Sequence, residues 1–260
     1  MKITAHALIR NEEKFIWFAV NSVLDHVDEM MIWDMESGDN TEKKVKETAS
    51  PKIKYTKVPF KGTKELAAYR QKMLDGSDAD WIFILDGDEV WWDKSIETLT
   101  GKVRKAGKTR DLAVVPNYML VGDIYHYQEE KAGRYKIGSV SGHYNVRALR
   151  KTEGLKVEGL YPNEAYVTGN GIKIQDLPDE KMLFLKEGYL HASFLKRSGK
   201  DRKKIKYEIG REFPLDFYYP EVFFRERPES VSCPFEPMGG KYKLIAGLLT
   251  PFKKIRRRII

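Results

Sequence analysis

The first half of the chain alternates short apolar runs with segments in which apolar residues recur at helical spacing. The apolar runs predict five strands, at residues 2–9, 30–33, 53–58, 81–85 and 112–116. The helically spaced segments predict four helices, at residues 14–24, 41–48, 63–74 and 94–105. Thr41 is the expected cap of the second helix. Because strands and helices alternate, we predict a doubly wound, mainly parallel α/β sheet with right-handed crossovers.

The sequence after Asn117 is less regular and is richer in glycine and aromatic residues. Its patterns predict a smaller antiparallel region with strands at 123–128 and 143–150, a further apolar run at 182–190 and a helix at 203–210. No internal repeat or low-complexity linker interrupts the chain. We therefore predict one domain over residues 1–240, with halves at about 1–117 and 118–240, followed by a basic amphipathic tail at 241–260.

Polar clusters follow three of the predicted strands, at residues 10–12, 34–39 and 86–89. The carboxyl ends of parallel strands meet at one edge of a sheet, and ligands of such folds bind there. We therefore expect the three clusters to line one wall of a single cleft.

The cluster Asp86-Gly87-Asp88 follows the most apolar of these strands. A glycine between two aspartates lets both carboxylates turn toward one point, and their oxygens suit Mg²⁺ or Mn²⁺. The alternative is an acidic turn without a metal, since Asp-Gly is common turn chemistry. The buried strand and the expected cleft favour the metal site.

The net charge of +8 is concentrated late in the chain. Residues 251–260 include five basic and no acidic residues, and residues 196–211 include eight basic and two acidic ones. The rest of the chain is slightly acidic, which is not typical of a nucleic-acid-binding surface. The single cysteine, Cys233, excludes an internal disulfide and cysteine-rich zinc sites. With no N-terminal signal and no apolar stretch of about 20 residues, we expect a cytoplasmic protein.

Four motifs occur in order at residues 7–13, 33–41, 68–71 and 81–89, and the last contains Asp86-Gly87-Asp88. In combination they resemble the motifs of family-2-type glycosyltransferases with the GT-A fold, over roughly residues 3–210. The resemblance implies an enzyme that transfers a sugar from a UDP- or GDP-linked donor to an acceptor hydroxyl. It further implies inversion at the anomeric carbon, dependence on Mn²⁺ or Mg²⁺, and a place in cell-surface glycan or glycolipid synthesis.

The resemblance also implies roles for single residues of the donor site. Asp34 and Arg70 correspond to residues that hold the nucleotide. Asp86 corresponds to the aspartate that faces the sugar and ribose and shares the metal, and Asp88 to the metal ligand proper.

Three further residues of these motifs are expected to contact the donor. Arg10 and Glu12 follow the first strand and lie in the first polar cluster. Glu36 stands where the family generally has glycine. Its carboxylate either bonds the base or ribose or points to solvent, so that no donor preference follows from the family pattern.

Inverting transfer needs a carboxylate that takes the proton of the acceptor hydroxyl. Glu164 is our candidate, because related transferases carry a His-Glu pair at the corresponding place. Here the pair is Asn163-Glu164, and Glu158 and Glu129 are alternatives.

His191 ends the apolar run of the second half. GT-A enzymes often use a late histidine as a further metal or diphosphate ligand, and a neutral imidazole suits Mn²⁺. A structural histidine is the alternative. In the reaction, the metal and nearby cations would stabilise the charge that develops on the leaving nucleoside diphosphate.

The tail at 241–260 interleaves apolar and basic residues, and Pro251 is expected to kink or divide any helix there. Such a segment fits the surface of an anionic membrane, which would suit a membrane-bound acceptor. A helix packed on the protein with a solvated basic end is the alternative.

Two other functions compete with glycosyl transfer. A sugar-nucleotide pyrophosphorylase shares the strand–helix alternation, but Arg10-Asn11-Glu12-Glu13 lacks the glycines expected after its first strand. A non-enzymatic nucleic-acid-binding protein would use residues 196–211 and the tail, but the acidic cleft argues against it, and no nucleic-acid partner is expected.

Overall fold

The computed structural model describes residues 1–200 and 205–259. The strands are β1 (Ile3–Ile9), β2 (Glu29–Met35), β3 (Ile53–Val58), β4 (Trp81–Ile84), β5 (Glu89–Trp91), β6 (Leu112–Val121), β7 (Asp123–Tyr127), β8 (Tyr135–Ile137), β9 (Val140–Gly142), β10 (Tyr144–Arg150), β11 (Lys156–Glu158), β12 (Ala165–Val167), β13 (Met182–Phe184), β14 (Tyr189–His191) and β15 (Arg211–Glu212). The α-helices are α1 (Ile16–Val23), α2 (Thr41–Lys46), α3 (Leu66–Asp75), α4 (Asp93–Ala106) and α5 (Gly240–Ile259). Short 3₁₀ helices lie at Leu24–His26, Thr63–Glu65, Glu130–Ala132, Ile174–Asp176, Asp179–Lys181 and Glu221–Phe224.

Eleven of the described strands form one sheet, whose main path runs β15-β7-β6-β10-β4-β1-β2-β3. Strands β4, β1, β2 and β3 are parallel to one another, and β10 is antiparallel to both β4 and β6. Strands β13 and β14 pair with β6, and β5 pairs with β14. Strands β8–β9 and β11–β12 form separate two-stranded sheets. This arrangement confirms the predicted mainly parallel α/β sheet with antiparallel strands from the second half.

Helices cover both faces of the parallel strands, as a doubly wound sheet requires. On one face, α1 and α4 pack on the residues of β1 that alternate from Ile3 to Ile9. On the other face, α3 packs on Leu8 and Met31. Every residue of β1 and of β4 is buried. Strands covered on both faces read as continuous apolar runs, which is why the sequence pattern locates them.

Several element predictions need correction. Thr41 is the first residue of α2 and not its cap. Its backbone N–H and its hydroxyl both donate hydrogen bonds to the carboxylate of Asp39. The run at 182–190 forms two short strands. The predicted helix at 203–210 begins outside the described residues, and residues 205–210 are not helical. The tail forms one helix that continues through Pro251, and its last residue, 260, lies outside the described part.

Residues 205–210 are not helical because side chains of α5 accept hydrogen bonds from their backbone. The Glu208 N–H donates to the Tyr242 hydroxyl at 3.2 Å, and the Ile209 N–H donates to the Thr250 hydroxyl at 2.7 Å. Backbone donors that are bonded to side chains of another element cannot bond within a helix.

None of the helices in the described part of the chain combines the length and the apolarity that crossing a bilayer requires.

Candidate active site

The carboxyl ends of β1, β2 and β4 lie side by side, because β1 pairs in parallel register with both neighbours. The tight turn after β4 brings Asp86 and Glu89 together, and the Glu89 N–H donates to the Asp86 carbonyl at 3.2 Å. Gly87 sits directly against the loop after β1. A Cβ atom at this position would lie 2.7 Å from Cγ and 3.0 Å from Cβ of Glu12. The glycine of the Asp-Gly-Asp motif is therefore required by contact with Glu12.

A histidine from the second half completes this acidic edge. Strand β14 is antiparallel to β5 and pairs His191 with Glu89. The Nε2 atom of His191 lies 3.4 Å from an Asp88 oxygen and 3.9 Å from a Glu89 oxygen. One ligand atom each from Asp86, Glu89 and His191 lies within 4.8 Å of the others. Two carboxylate oxygens and one imidazole nitrogen form a donor set that fits Mn²⁺ or Mg²⁺.

Of the predicted metal residues, Asp86 and His191 belong to this set, whereas Asp88 does not and Glu89 stands in its place. Glu89 belongs to the predicted polar cluster at 86–89, but no role was predicted for it. In the structure it is fully buried. Asp88 is buried too, and its second oxygen accepts a hydrogen bond from Nη1 of Arg197 at 3.1 Å. The same guanidinium nitrogen donates to Glu12 at 2.6 Å.

A second arginine, Arg147 of β10, compensates the other two carboxylates. Its Nη2 donates to Asp86 at 3.0 Å and also donates to Glu89. Its Nε donates to the hydroxyl of Tyr189 at 2.9 Å, which also accepts from the Asn145 amide at 2.8 Å. Sequence reasoning missed this network. The available signal was Arg147 between the apolar residues Val146 and Ala148 of β10; it is 7% exposed in the structure.

The arginines and burial set the protonation of the acidic edge. Burial raises the pKa of Glu89 to about 7, although Arg147 acts against it. Burial also works to raise the pKa of Asp86, but Arg147 and then Arg70 outweigh it, so that this pKa lies below its usual value. Burial lowers the pKa of His191, and the charges of Asp88 and Glu89 overcome that effect and raise it. Asp86 is therefore held as an anion more firmly than Glu89.

Arg70 of α3, the predicted nucleotide-binding arginine, lies beside the motif, with Nη2 3.9 Å from an Asp86 oxygen. Asp34 has both oxygens bonded, one by the Tyr55 hydroxyl at 2.6 Å and one by the Ser37 N–H at 2.8 Å. Asp34 is also fully buried. In this structure its bonds fix the turn after β2.

Two of the predicted donor residues hold a neighbouring loop. Glu36, with a positive φ of 48°, accepts a hydrogen bond from the Phe60 N–H at 2.8 Å. The guanidinium of Arg10 lies 3.8 Å from the centroid of the Phe60 ring and donates to the Met35 carbonyl at 3.1 Å. Arg10 and Glu36 thus anchor the segment after β3 at the end of β2.

A cavity of about 1440 Å³ opens next to the acidic edge. Its lining includes Asp86, Arg147 and His191 from that edge and Glu164 from the segment before β12. One carboxylate oxygen of Glu164 is enclosed and has no hydrogen-bond partner within the described residues. The alternatives differ, because Glu158 pairs with Lys156 at 2.6 Å and Glu129 pairs with Arg257 at 3.3 Å. Neither alternative is among the residues that line the cavity.

The sequence matches one family model, and the fold resembles that of solved structures. The family model described as glycosyl transferase family 2 matches residues 8–156. No curated protein matches the sequence.

Solved structures that resemble this one include two kinds of protein. Residues 1–349 of TarS from S. aureus match with a TM-score of 0.47 and 13% identity, covering 74% of this chain and 61% of that one. Glucosyl-3-phosphoglycerate synthase from Mycobacterium tuberculosis, in complex with Mg²⁺ and uridine diphosphate, matches with a TM-score of 0.48 and 18% identity, covering 74% and 72%. The chain thus spans about three fifths of the TarS fragment.

Proposed function

Because this chain belongs to glycosyl transferase family 2, whose model matches more than half of it, we propose that it transfers a sugar from a nucleoside-diphosphate sugar to an acceptor hydroxyl. One observation carries the proposal. Asp86 and His191 of the cation-binding set line the same cavity as Glu164, one oxygen of which has no hydrogen-bond partner among the described residues. Such a cavity can hold a diphosphate at one side and take up a proton at the other.

At the donor side, we assign the cation to Asp86, Glu89 and His191, with Asp88 as a further ligand from the same turn. A bound Mn²⁺ or Mg²⁺ would supply charge neutralisation for the departing nucleoside diphosphate. Arg147 keeps Asp86 ionised when no metal is bound. Arg70 approaches the same carboxylate from α3. Asp34 and Glu36 support the base and ribose through the turn that they fix.

At the acceptor side, Glu164 takes the proton of the attacking hydroxyl as its oxygen attacks the anomeric carbon. The bond from that carbon to the diphosphate oxygen breaks in line, so that the configuration inverts. Glu164 suits this role because one of its oxygens is already desolvated and has no hydrogen bond to break within the described residues.

A membrane-bound acceptor is supported by the surface of α5. Leu244, Leu248, Phe252 and Ile255 form one stripe of this helix and are 55–72% exposed. Exposed basic residues flank the stripe, namely Lys241, Lys243, Lys254 and Arg256. An apolar stripe with flanking cations fits the surface of an anionic membrane, where each cation contributes about 1 kcal/mol. We therefore assign α5 as a peripheral membrane anchor and a glycolipid or cell-surface glycan precursor as the acceptor.

Nucleotide binding tests the central proposal. The full chain should be stabilised against thermal unfolding by UDP or GDP, and the stabilisation should require Mn²⁺ or Mg²⁺. It should vanish in Asp86→Asn and in Asp88→Asn and persist in Asp216→Asn, a control on an exposed aspartate. Equal stabilisation of all four proteins would overturn the metal assignment. No response to either nucleotide, with or without metal, would overturn the donor class.

Neither competing function is favoured by the family match. The pyrophosphorylase and the nucleic-acid-binding protein are therefore not proposed.

A further inference from the structure

The cavity has a basic wall away from the acidic edge, formed by residues that the sequence analysis assigned to a helix and to a tail. Lys206 comes from the non-helical segment at 205–210, and Lys253 comes from α5. Both line the same cavity as Asp86 and Glu164. The last helix therefore contributes to the cavity as well as to the outer surface.

Both lysines are held in place by neighbouring groups that carry no formal negative charge. The Lys206 ammonium lies 3.7 Å from the centroid of the Phe194 ring and donates to the Gln128 side-chain oxygen at 3.4 Å. The Lys253 ammonium donates to the Tyr207 carbonyl at 2.7 Å. Within residues 1–200 and 205–259, neither ammonium forms an ion pair with a carboxylate. Their charges are thus positioned but not neutralised.

The carboxylate nearest to them is already engaged. Glu208 is buried, and it accepts hydrogen bonds from Arg257 on both oxygens, at 2.6 and 2.8 Å. It also accepts from the Gln128 amide at 2.8 Å. Burial, together with Arg257 and Lys253, lowers the pKa of Lys206 in spite of Glu208. Arg257 pairs with Glu129 as well, so that three cations stand against two carboxylates. The wall therefore has an excess of positive charge that an anion would relieve.

The basic wall and the acidic edge are built from different elements. The cation-binding set lies on the turn after β4 and on β14, whereas Lys206 and Lys253 come from the segment at 205–210 and from α5. The partners of the two ammonium groups among the described residues are Phe194, Gln128 and Tyr207, and none of them belongs to the cation-binding set. We therefore treat an anion at the basic wall as a second one, in addition to the donor diphosphate.

We propose that Lys206 and Lys253 bind a phosphate monoester group of the acceptor, so that the enzyme glycosylates a phosphate-bearing molecule. The inference rests on the proposed function, since it takes the cavity as the acceptor site. A dianionic phosphate matches two ammonium groups, and ammonium groups bind phosphate oxygens as point charges. The phosphate belongs either to a soluble compound or to a lipid headgroup.

Binding of small probes tests the proposal in solution. Glycerol 3-phosphate should bind the full chain more tightly than glycerol, in the presence of UDP or GDP with Mn²⁺. Lys206→Gln and Lys253→Gln should each weaken that binding about tenfold, the effect of one lost charge-assisted hydrogen bond. Lys102→Gln, an exposed lysine of α4 outside the cavity, is the control. The nucleotide affinity of every variant should be unchanged.

Binding to vesicles distinguishes a phosphate on a lipid headgroup from a phosphate on a soluble compound. Vesicles with phosphatidic acid, a monoester, are compared with vesicles that carry the same fraction of phosphatidylglycerol, a diester. If the unmodified chain prefers phosphatidic acid and both cavity variants lose that preference, the phosphate belongs to a lipid. If the variants lose only the binding of glycerol 3-phosphate, the phosphate belongs to a soluble compound. The proposal is overturned if neither arm depends on both lysines. Failure of nucleotide binding in the unmodified chain would instead reject the proposed function.

Discussion

Arg147 donates a hydrogen bond from Nη2 to Asp86 at 3.0 Å, across the boundary between the parallel strand β4 and the antiparallel strand β10. The same nitrogen reaches the fully buried Glu89. One side chain of the second half thus compensates two carboxylates of the first half. The acidic edge can be buried because this guanidinium is buried with it.

Arg147→Gln should destabilise the protein by about 3–5 kcal/mol, because it leaves buried carboxylates without a cation. Urea denaturation measures the change in the free energy of unfolding. Arg211→Gln removes an exposed charge of β15 and should have little effect. A loss in Arg147→Gln no larger than that of the control would contradict the charge-compensating role.

Gly87→Ala should cost about 1–3 kcal/mol, since the new methyl group would lie 2.7 Å from Cγ of Glu12. The displaced Glu12 should also lose its 2.6 Å bond to Arg197, which weakens metal-dependent nucleotide binding. Gly101→Ala is the matched control, because its new methyl group would meet no atom within 4 Å apart from its chain neighbours and the backbone of its own helix. That change in the middle of α4 should stabilise the protein by about 0.5–1 kcal/mol. Equal effects of the two substitutions would argue against the contact.

Glu164→Gln should lower the rate of sugar transfer by about 10²–10⁴-fold, the usual contribution of a positioned base. Nucleotide affinity should not change, because the residue acts on the acceptor. Steady-state turnover and equilibrium nucleotide binding measure the two properties separately. Glu158→Gln, on an exposed carboxylate paired with Lys156, should retain full activity. A larger loss in Glu158→Gln than in Glu164→Gln would transfer the role of base to Glu158.

His6 should make the protein less stable as the pH falls below about 6.5. This side chain is buried in β1, and neither ring nitrogen has a hydrogen-bond partner among the described residues. Burial, followed by the charge of Arg70, lowers its pKa to about 4. Between these pH values the unfolded chain binds a proton that the folded chain does not, so that stability is lost on acidification. The loss should reach about 3 kcal/mol near pH 4.

His6→Leu removes this titration and is compared with the unmodified protein. The free energies of unfolding of both proteins are measured from about pH 7.5 down to about pH 4. The difference between them should shift in favour of His6→Leu as the pH falls. A difference that is constant with pH would show that His6 does not titrate in this way.

Replacing Leu248 and Phe252 together by serine should weaken binding to anionic vesicles at least about tenfold, because two exposed apolar side chains of α5 are removed. Co-sedimentation with phosphatidylglycerol vesicles measures the change. Leu215→Ser is the control, since this leucine is fully exposed but lies outside α5. Binding that the double substitution leaves intact would reject α5 as the anchor.

The sequence predicts the centre of the parallel sheet well because β1 and β4 are buried throughout and read as apolar runs. Both differ from their predictions by a single residue. Strand β3 also matches its predicted bounds, although it is a largely exposed strand at the end of the sheet. Strand β5, only three residues long, follows the metal motif and was missed. A pattern of period two or of helical period cannot appear in so short a segment.

The candidate site was only partly predictable, for a different reason. Asp86, Asp88 and His191 were found from their positions after apolar runs, which are local signals. The bonds from Arg147 and Arg197 join residues 58–185 positions apart. Local periodicity carries no information on such pairs. Likewise, the basic segment and the tail were treated as separate appendages, whereas the structure brings Lys206 and Lys253 to one cavity.

The bond between Glu12 and Arg197 has a consequence for the way in which the protein is made. During synthesis the carboxylates of Glu12, Asp86 and Glu89 leave the ribosome well before either arginine that neutralises them. Burying like charges without a cation is costly, so this edge stays hydrated while the apolar strands around it can already collapse. We therefore expect the acidic edge to be buried only after the segment that follows β14, which contains Arg197, has been synthesised. An incomplete chain would present a folded core but no working cleft.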